Sequence, residues 1–393
     1  MLHGKNIVLG VTGSIACYKA LDLASKLVQA GALVNTIMSY GATRFVTPLA
    51  FRSITHRPVV TETFDPDSEL SVEHVALAES ADIVVVAPAT AHFIAKMAAG
   101  LADDPLTTTI LATRAPMMVA PAMDAHMYDN PATQENLSKL KDRGVLIVGP
   151  AIGRLASGLV GMGRLVETPE LVGNISALLG RKGDLAGYTV VVSAGGTQEP
   201  VDPVRVITNR SSGKMGYAVA EVARDRGARV VLVTAPTSLA DPVAVEVVKV
   251  GTALEMRDAV KDSVAGADAL IMAAAVADYM PVSPASQKVK KDSDTWSIGL
   301  GKTPDILEES RGRFIKVGFA AESEDLLENA RGKVLRKSLD LIVANDITAE
   351  GSGFGTDTNK VVLVDRDGGV EDLPLMSKHE VAHRILDRVR QLL

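Results

Sequence analysis

The sequence predicts an α/β protein built from two three-layer domains. Three observations predict it: short β-branched runs alternate with amphipathic segments of helix length, the runs end in glycine or small hydroxyl residues, and this layout occurs twice along the chain. Polar residues that recur at the ends of successive strands mark a sheet with one functional edge. With 393 residues, 47% of them hydrophobic and 22% charged, the chain can build two cores. The net charge of −6 argues against a general nucleic-acid binder and leaves room for a local basic pocket. A single cysteine, Cys17, excludes an internal disulfide and a four-cysteine zinc site. The opening MLHGKNIVLGVTGS reads as a strand ending in glycines rather than a signal peptide or spanning helix, so a cytoplasmic, membrane-free protein is expected.

In the first domain, Asn6 to Val11 is a strand running into Thr12, Gly13 and Ser14, and Ile15 to Ala30 is a helix closed by Gly31 before the strand Leu33 to Ser39. The GVTGSIA turn lacks dinucleotide spacing, yet its hydroxyls at a helix start suit a phosphate. Gly41 to Ala50 reads as a short helix and Ile54 to Asp67 as loop and short strand. His74, at a helix start within Ser71 to Glu79, is a cap or a catalytic group on its residues alone. The strand Ile83 to Val86 exits into Ala87, Pro88, Ala89 and Thr90, and Gly100 to Thr109 brings Asp103, Asp104, Thr107 and Thr108 to a loop and helix start. Pro116 to Ala120 exits toward Asp124, and Val145 to Pro150 is a further strand. Gly153 to Leu165 has glycines at 153, 158, 161 and 163, too many for a helix; it is a ligand-covering flap or a structural turn. Thr168 to Leu179 closes the domain, 1–180, and the polar segment 181–187 is the expected linker.

The second domain, 188–393, opens on the strand Tyr188 to Val192 and the turn Gly195, Gly196, Thr197. Arg205, Asn209, Arg210, Ser211, Ser212 and Lys214 supply donors suited to phosphate oxygens, and Lys214 leads into a helix through Ala223; the bland alternative is a polar loop with a cap. Arg226 to Ala235 and Val264 to Asp278 repeat the layout of Gln29 to Ser39 and Ala78 to Thr90, as a shared α/β plan would. Asp278 ends a strand, where it is suited to pair with Lys288 or to hold a metal ion on a phosphate. Gln287 to Lys291, QKVKK, is a solvated face unless other motifs join it. In GLGKTPD, Thr303 is the expected N-cap and Pro304 lies in the first helical turn. Lys316 to Ala321 is a strand, Glu322 and Ser323 open a helix, Leu326 to Ser338 is helical, and the strand Leu339 to Ala344 ends at Asn345 and Asp346. Gly351 to Asn359 is a glycine-rich loop with Phe354, Thr358 and Asn359. Val361 to Val364 and Val370 to Leu373 form a hairpin, and Lys378 to Leu392 is a closing amphipathic helix.

Two collinear sets of motifs, GSIACYK through GMGRL in the first half and SAGGTQEPVDPVRVITNRSSGKMG through FGTDTNKV in the second, make the chain resemble, over essentially its full length, the bifunctional phosphopantothenoylcysteine decarboxylase and phosphopantothenate–cysteine ligase family of coenzyme A biosynthesis. GSIACYK, VEHVALAESAD, APAT, PAMDAHMY and GMGRL are similar to motifs of flavin-dependent cysteine decarboxylases. SAGGTQEPVDPVRVITNRSSGKMG, AAAVADY, KVKK, GKTPDIL, GFAAES, DLIVANDI and FGTDTNKV are similar to the ligase signatures, in the expected order. The resemblance implies a flavodoxin-like FMN-binding domain followed by a Rossmann-like ligase domain. It also implies CTP-dependent ligation of 4'-phosphopantothenate with L-cysteine through an acyl-cytidylate, then decarboxylation to 4'-phosphopantetheine. The implied assembly is a homo-oligomer, a dodecamer built from trimers of the first domain and dimers of the second.

Carried onto this sequence, the resemblance sets FMN against Gly13, Ser14, Ser39, the turn Ala87, Pro88, Ala89, Thr90, and Thr107 and Thr108, with His74 as base. Asn209 would handle the acyl-cytidylate and Lys288 would act after activation. Gly195, Gly196, Thr197, Ala274, Asp278, Lys288, Lys302, Pro304, Asp305, Ile306, Phe319, Lys333 and Lys337 would surround CTP, and Asp278 would meet magnesium on its phosphates. Arg205, Arg210 and Lys214 would join Asn209 at the substrate. Two positions depart from the family: Asp124 stands where it has asparagine, and Ser157 where many members carry a proton-donating cysteine. A hydroxyl is a far poorer acid than a thiol, and a carboxylate at 124 repels the substrate carboxylate unless its pKa is raised. The departures predict a slow decarboxylation or another proton donor; the alternative is a ligase whose flavoprotein domain has impaired decarboxylase activity.

Overall fold

Apolar runs without polar alternation form strands buried on both faces, and such strands build two separate sheets here. The computed structural model describes residues 2–63, 73–290, 295–322, 326–346, 351–353 and 355–393. Two compact units divide the chain, Met1–Leu179 and Gly180–Leu393. In the first, β1 (Asn6–Val11), β2 (Leu33–Met38), β3 (Val59–Val60), β4 (Ile83–Ala89), β5 (Met117–Pro121) and β6 (Leu146–Ile147) form a parallel sheet in the order β3-β2-β1-β4-β5-β6. Without the two-residue edge strand β3, this is the flavodoxin-like order. A separate antiparallel hairpin, β7 (Ala151–Arg154) and β8 (Val160–Arg164), follows. Alternate residues of β1 serve opposite faces: Ile7, Leu9 and Val11 pack with Leu23 and Leu27 of helix Cys17–Gln29, and Val8 with Phe93, Ile94 and Leu106.

In the second unit the strands are β9 (Thr189–Ala194), β10 (Gln198–Pro200), β11 (Val206–Thr208), β12 (Arg229–Thr234), β13 (Glu246–Lys249), β14 (Ala269–Met272), β15 (Tyr279–Pro281) and β16 (Leu300–Lys302). They continue with β17 (Ile315–Glu322), β18 (Leu341–Asp346), β19 (Thr358–Asn359), β20 (Val361–Asp365), β21 (Val370–Asp372) and β22 (Met376–Ser377). The main sheet runs β13-β12-β9-β14-β17-β18-β20-β21. Its first six strands are parallel and follow the Rossmann order, while β20 and β21 are added antiparallel. Three ribbons, β10 with β11, β15 with β16 and β19 with β22, stand apart from it. Helix Lys378–Leu392 has the expected bounds: Ser377 and Glu380 form a capping box, and Val381, Ile385, Leu386 and Val389 are fully buried, at about 1.5–3 kcal/mol each. No helix among the described residues is long and apolar enough to cross a membrane.

The glycine-dense stretch Gly153 to Leu165, expected as a flap or a structural turn and not as a helix, forms the hairpin β7–β8. Several other expectations are corrected. The single helix expected over Gly41 to Ala50 is two, Tyr40–Thr43 and Pro48–Thr55, because Pro48 starts a new one at N1. Asp305, not Thr303, caps helix Ile306–Glu309, since the Thr303 hydroxyl is bonded instead to the Ala277 carbonyl. Strand β17 runs through Glu322, which was expected to open a helix. Within the expected linker, Leu185 is fully buried in the second unit's core and Asp184 pairs with Arg226 at 2.5 Å. Residues 64–67, Ser71, Lys291, Ser323, Ile347 and Phe354, which carry parts of the expected loops and motifs, lie outside the described residues.

Candidate active sites

The parallel part of each sheet reverses its direction of growth once, between β1 and β4 and between β9 and β14, and a crevice opens at the carboxyl ends of strands at such a point. In the first unit a cavity of about 670 Å³ lies there, lined by Gly13 and Ser14 after β1, Thr90 after β4, Met123 and Asp124 after β5, and the hairpin β7–β8. The strand ends are locked together: Thr12 donates its hydroxyl to the Pro88 carbonyl (2.8 Å) and accepts from the Thr90 N–H (2.9 Å). Gly13 lies against the backbone of Gly41, beside Ser39, which caps helix Tyr40–Thr43. Ser39, Ala87, Pro88 and Ala89 therefore shape the turns around the cavity without lining it. Thr107 is buried in a capping box with Asp104 and Thr108 donates to the Asp104 carbonyl, so neither hydroxyl faces the cavity. His74 sits in the first turn of helix Glu73–Ser80 and is not among the lining residues.

The hairpin is anchored at its base by Met123 N–H donating to the Gly163 carbonyl (3.0 Å), and a Cβ on Gly163 would overlap the Met123 carbonyl. At its tip Ser157 donates to Asp124 Oδ2 at 2.6 Å. Asp124 Oδ1 takes the His126 N–H (3.0 Å) and faces His126 Nδ1 (3.2 Å). The Ser157 hydroxyl first, then the His126 amide, hold the Asp124 carboxyl below its ordinary range. The structure thus does not supply the raised pKa that would remove Asp124's charge. Sequence reasoning missed Tyr18, Lys19, Arg154 and Arg164 in this cavity. Only Lys19 carried a signal: it is a charged residue on the otherwise apolar face of its helix, and it is buried on Glu167 (3.0 Å) and the Leu165 carbonyl (3.1 Å).

In the second unit the backbone from Ala274 to Asp278 is gripped from every side. Ser193 Oγ accepts from Ala274 N–H (3.1 Å), Thr197 Oγ1 from Ala277 N–H (2.9 Å), and Asn209 Nδ2 donates to the Val276 carbonyl (3.1 Å). Thr303 donates its hydroxyl to Ala277 O (2.6 Å) and its N–H to Asp278 O (3.0 Å). A cavity of about 160 Å³ beside this segment includes Lys214, Ala274, Phe319, Asn345 and Lys378. Lys214 already donates to Asp357 (2.7 Å) and the Gly355 carbonyl (2.9 Å), while Lys337 pairs with Asp305 at 2.7 Å. Arg210, Asp278, Lys288 and Lys302 are exposed, and no ion pair among the described residues joins Asp278 to Lys288. Lys333 lies one turn before Lys337 on helix Leu326–Lys337. No cluster of three His, Cys, Asp or Glu side chains that could hold a metal ion occurs among the described residues.

The residue that the sequence hid is Asp202. Its side chain is fully buried, and it accepts from the N–H groups of Val204 and Arg205 (both 2.8 Å) and of Val289 (3.2 Å). Burial pushes its carboxyl up, but these three N–H groups and the Arg205 charge outweigh it and leave it below the ordinary value. Arg205, expected at a phosphate, is engaged by Asp202 (3.4 Å), the Val289 carbonyl (3.4 Å) and the Trp296 ring at 5.2 Å. Both backbone groups of Val289, next to Lys288, are thereby held by the segment that precedes β11.

Comparison with known proteins agrees with this division. The family described as Flavoprotein matches residues 1–180, and the DNA/pantothenate metabolism flavoprotein C-terminal domain family matches residues 185–393. The coenzyme A biosynthesis bifunctional protein CoaBC of Bacillus subtilis is 46% identical over 398 residues, covering 100% of this chain and 98% of its own. The protein of the same description from Escherichia coli is 44% identical over 395 residues, covering 99% and 97%. A crystal structure of the C-terminal domain of a CoaBC protein is 39% identical, with a TM-score of 0.46, covering 53% of this chain and 97% of that one. Identity at this level along the whole length shows that the chain belongs to the CoaBC family of bifunctional coenzyme A biosynthesis proteins.

Proposed function

We propose that the second unit joins 4'-phosphopantothenate to L-cysteine at the expense of CTP, and that the first unit decarboxylates the product to 4'-phosphopantetheine. As in its family, the chain is a bifunctional enzyme combining a ligase with an FMN-dependent decarboxylase. The observation that carries the division of labour is that each sheet has its own crevice at its own switch point, one roomy and lined by a hairpin, the other built on a gripped backbone segment.

In the ligase step the substrate carboxylate attacks the α-phosphorus of CTP, pyrophosphate leaves, and the cysteine amine then displaces CMP from the mixed anhydride. The fixed segment Ala274 to Asp278 and the turn Gly195 to Thr197 hold the nucleotide, with Phe319 and the Asp305–Lys337 pair at its edge. Lys302, Pro304, Ile306 and Lys333 complete that wall. Asn209 orients the activated carboxyl, and Lys288 meets the charge that develops during transfer. Arg210 and Lys214 take phosphate oxygens. Magnesium is commonly held by one or two carboxylates together with substrate phosphates, so the single carboxylate of Asp278 fits it; when bound, the ion offsets the triphosphate charge.

In the decarboxylase, a 670 Å³ cavity with glycine and hydroxyl turns at one end and apolar walls at Met123 and Leu155 fits FMN. When bound, FMN supplies the two-electron oxidation and its reversal. Gly13, Ser14 and Thr90 receive it, Ser39, Ala87, Pro88 and Ala89 shape the receiving turns, and His74, which does not line the cavity of a single chain, serves as base from a neighbouring copy in the oligomer. Exposed Tyr18, Tyr40, Phe45 and Leu49 on the first unit, and Val204, Val206, Tyr279 and Leu300 on the second, support self-association of each. Trimers of one and dimers of the other close into a dodecamer; light scattering of the purified protein measures this.

A mass-spectrometric time course with phosphopantothenate, cysteine, magnesium and CTP or ATP tests the reading. Phosphopantothenoylcysteine is expected first and phosphopantetheine later, with CTP preferred; no amide product with either nucleotide overturns it. Asp202→Asn keeps the side chain's shape but turns an amide donor toward Val289 N–H, freeing the Lys288 segment. Ligase kcat is expected to fall about tenfold or more while KM for CTP changes little, since an unsatisfied buried group costs about 1–3 kcal/mol. An unchanged kcat would show that the lysine needs no such support.

A further inference from the structure

Loss of carbon dioxide from a carboxylate is balanced only by a proton, RCO2− + H+ giving RH + CO2. A proton source must therefore face the carbon that bore the carboxylate. Few residues around the first unit's cavity qualify. Arg154 and Arg164 do not release protons. Lys19 is committed to Glu167 and the Leu165 carbonyl. The Ser14 and Thr90 hydroxyls accept from the Ala16 N–H (3.2 Å) and the Phe93 N–H (3.3 Å) on the turns assigned above to the flavin, and no carboxylate is hydrogen-bonded to either among the described residues. Tyr18, like Ser157, is exposed, but no hydrogen bond among the described residues ties its hydroxyl to a carboxylate that could resupply a proton. Ser157 remains, on the hairpin tip, with its hydroxyl on Asp124 at 2.6 Å.

We propose that Asp124 and Ser157 act as one acid: Asp124 takes up a proton as the substrate carboxylate enters and passes it through the Ser157 hydroxyl to the carbon that loses carbon dioxide. This rests on the decarboxylase reading above. With Asp124 ionised, the Ser157 proton is directed at the carboxylate and is unavailable. With Asp124 protonated the same contact reverses, Ser157 becomes the acceptor, and its own proton is free to turn into the cavity. In the transfer a C–H bond forms on the enethiolate left by carbon dioxide. The Ser157 O–H bond breaks, the Asp124 proton moves to Ser157 Oγ, and Asp124 returns to the carboxylate. The accompanying two-electron reduction belongs to the flavin chemistry of the family's activity.

Charge counting explains why the proton arrives with the substrate. In the resting protein the Ser157 hydroxyl and the His126 amide hold the Asp124 carboxyl below its ordinary range. Of the cations lining the cavity, Arg164 (2.6 Å) and Lys19 (3.0 Å) are both engaged by Glu167. Arg154 is in no ion pair with a described residue. One guanidinium without an ion pair then shares the cavity with two carboxylates, and like-charge repulsion between them favours protonation of one.

Two measurements on the flavin-loaded protein test the pair. The first is calorimetry of 4'-phosphopantothenoylserine, which has the carboxylate but no thiol to oxidise, in two buffers of different ionisation enthalpy near neutral pH. Uptake of about one proton per site is expected for the wild type and about none for Asp124→Asn. The second is product mass after turnover. Asp124→Asn and Ser157→Ala are each expected to shift the product about tenfold or more from phosphopantetheine to the enethiol that is two hydrogens lighter. The double variant D124N/S157C is expected to restore phosphopantetheine, because a thiol of pKa about 8.5 is an acid in its own right. A pair that merely latched the hairpin would show no uptake in the wild type, and that result overturns the proposal. Phosphopantetheine formed by Asp124→Asn at the wild-type ratio overturns it as well. A wild type that releases no carbon dioxide overturns the decarboxylase reading, and the pair's role with it.

Discussion

Lys288→Gln is expected to lose ligation by about 10²–10³-fold while decarboxylation of supplied phosphopantothenoylcysteine continues at the wild-type rate. Glutamine keeps most of the length of the side chain and removes only the charge, so the variant isolates electrostatics from packing. Lys288 is exposed, and nothing in either core depends on it. Its segment is nevertheless fixed at Val289 by a buried carboxylate, an expensive arrangement for a surface loop unless the neighbouring ammonium must stand in one place. Charge that builds up on phosphorus oxygens during transfer is stabilised most by a donor that does not have to reorganise. Because the two units have separate cores, a lesion at Lys288 leaves the first unit's chemistry untouched. The assay is two-part: CMP release with phosphopantothenate and cysteine, and carbon dioxide release from the preformed amide. Ligation above a tenth of the wild-type rate would remove Lys288 from the chemistry.

Much of the architecture could be read from local signals. Strand ends, the turns after β1, β4 and β9, and helix Lys378–Leu392 follow from period, glycines and caps, all of which lie within a few residues of the feature they announce. What stayed hidden depends on pairing across the chain. Asp202 looks like an ordinary loop carboxylate until Val289, far along the sequence, donates to it. Arg205 reads as a phosphate ligand because charge alone is visible, whereas its partners Asp202 and Trp296 are set by folding. The hairpin β7–β8 was half legible: glycines exclude a helix there, but they do not say that Arg154 pairs with Val160. Ser193 looked like a routine polar residue and Thr303 like an N-cap, and only the pairing of β9 with β14 and of β15 with β16 shows that they grip one peptide segment. Asp124 and Ser157 stood out as departures from a pattern, one by one; that they are a bonded pair is visible only in three dimensions.

Gly13→Ala is expected to weaken flavin binding about 10–100-fold and leave the ligase intact. A Cβ built on Gly13 lies 2.8 Å from the backbone Cα and C of Gly41, closer than real side chains approach a main chain. The contact is mutual, since a Cβ on Gly41 would come within 3.2 Å of Gly13 Cα. Neither turn can give way cheaply. Ser39 N–H is bonded to the Val11 carbonyl (3.0 Å) and the Ser39 side chain caps helix Tyr40–Thr43, while β1 and β2 are held in register along all six residues. Gly13 has no positive φ, so alanine is conformationally permitted there and the effect is purely steric. Forcing one extra carbon into such a contact costs about 1–3 kcal/mol, which is the basis of the expected loss. The absorbance of the purified variant and titration of its apoprotein with FMN measure it, and CTP-dependent amide formation serves as the internal control. Wild-type affinity for FMN in this variant would move the phosphate-receiving turn away from Gly13, and with it the reading of the β1 edge as the flavin's seat.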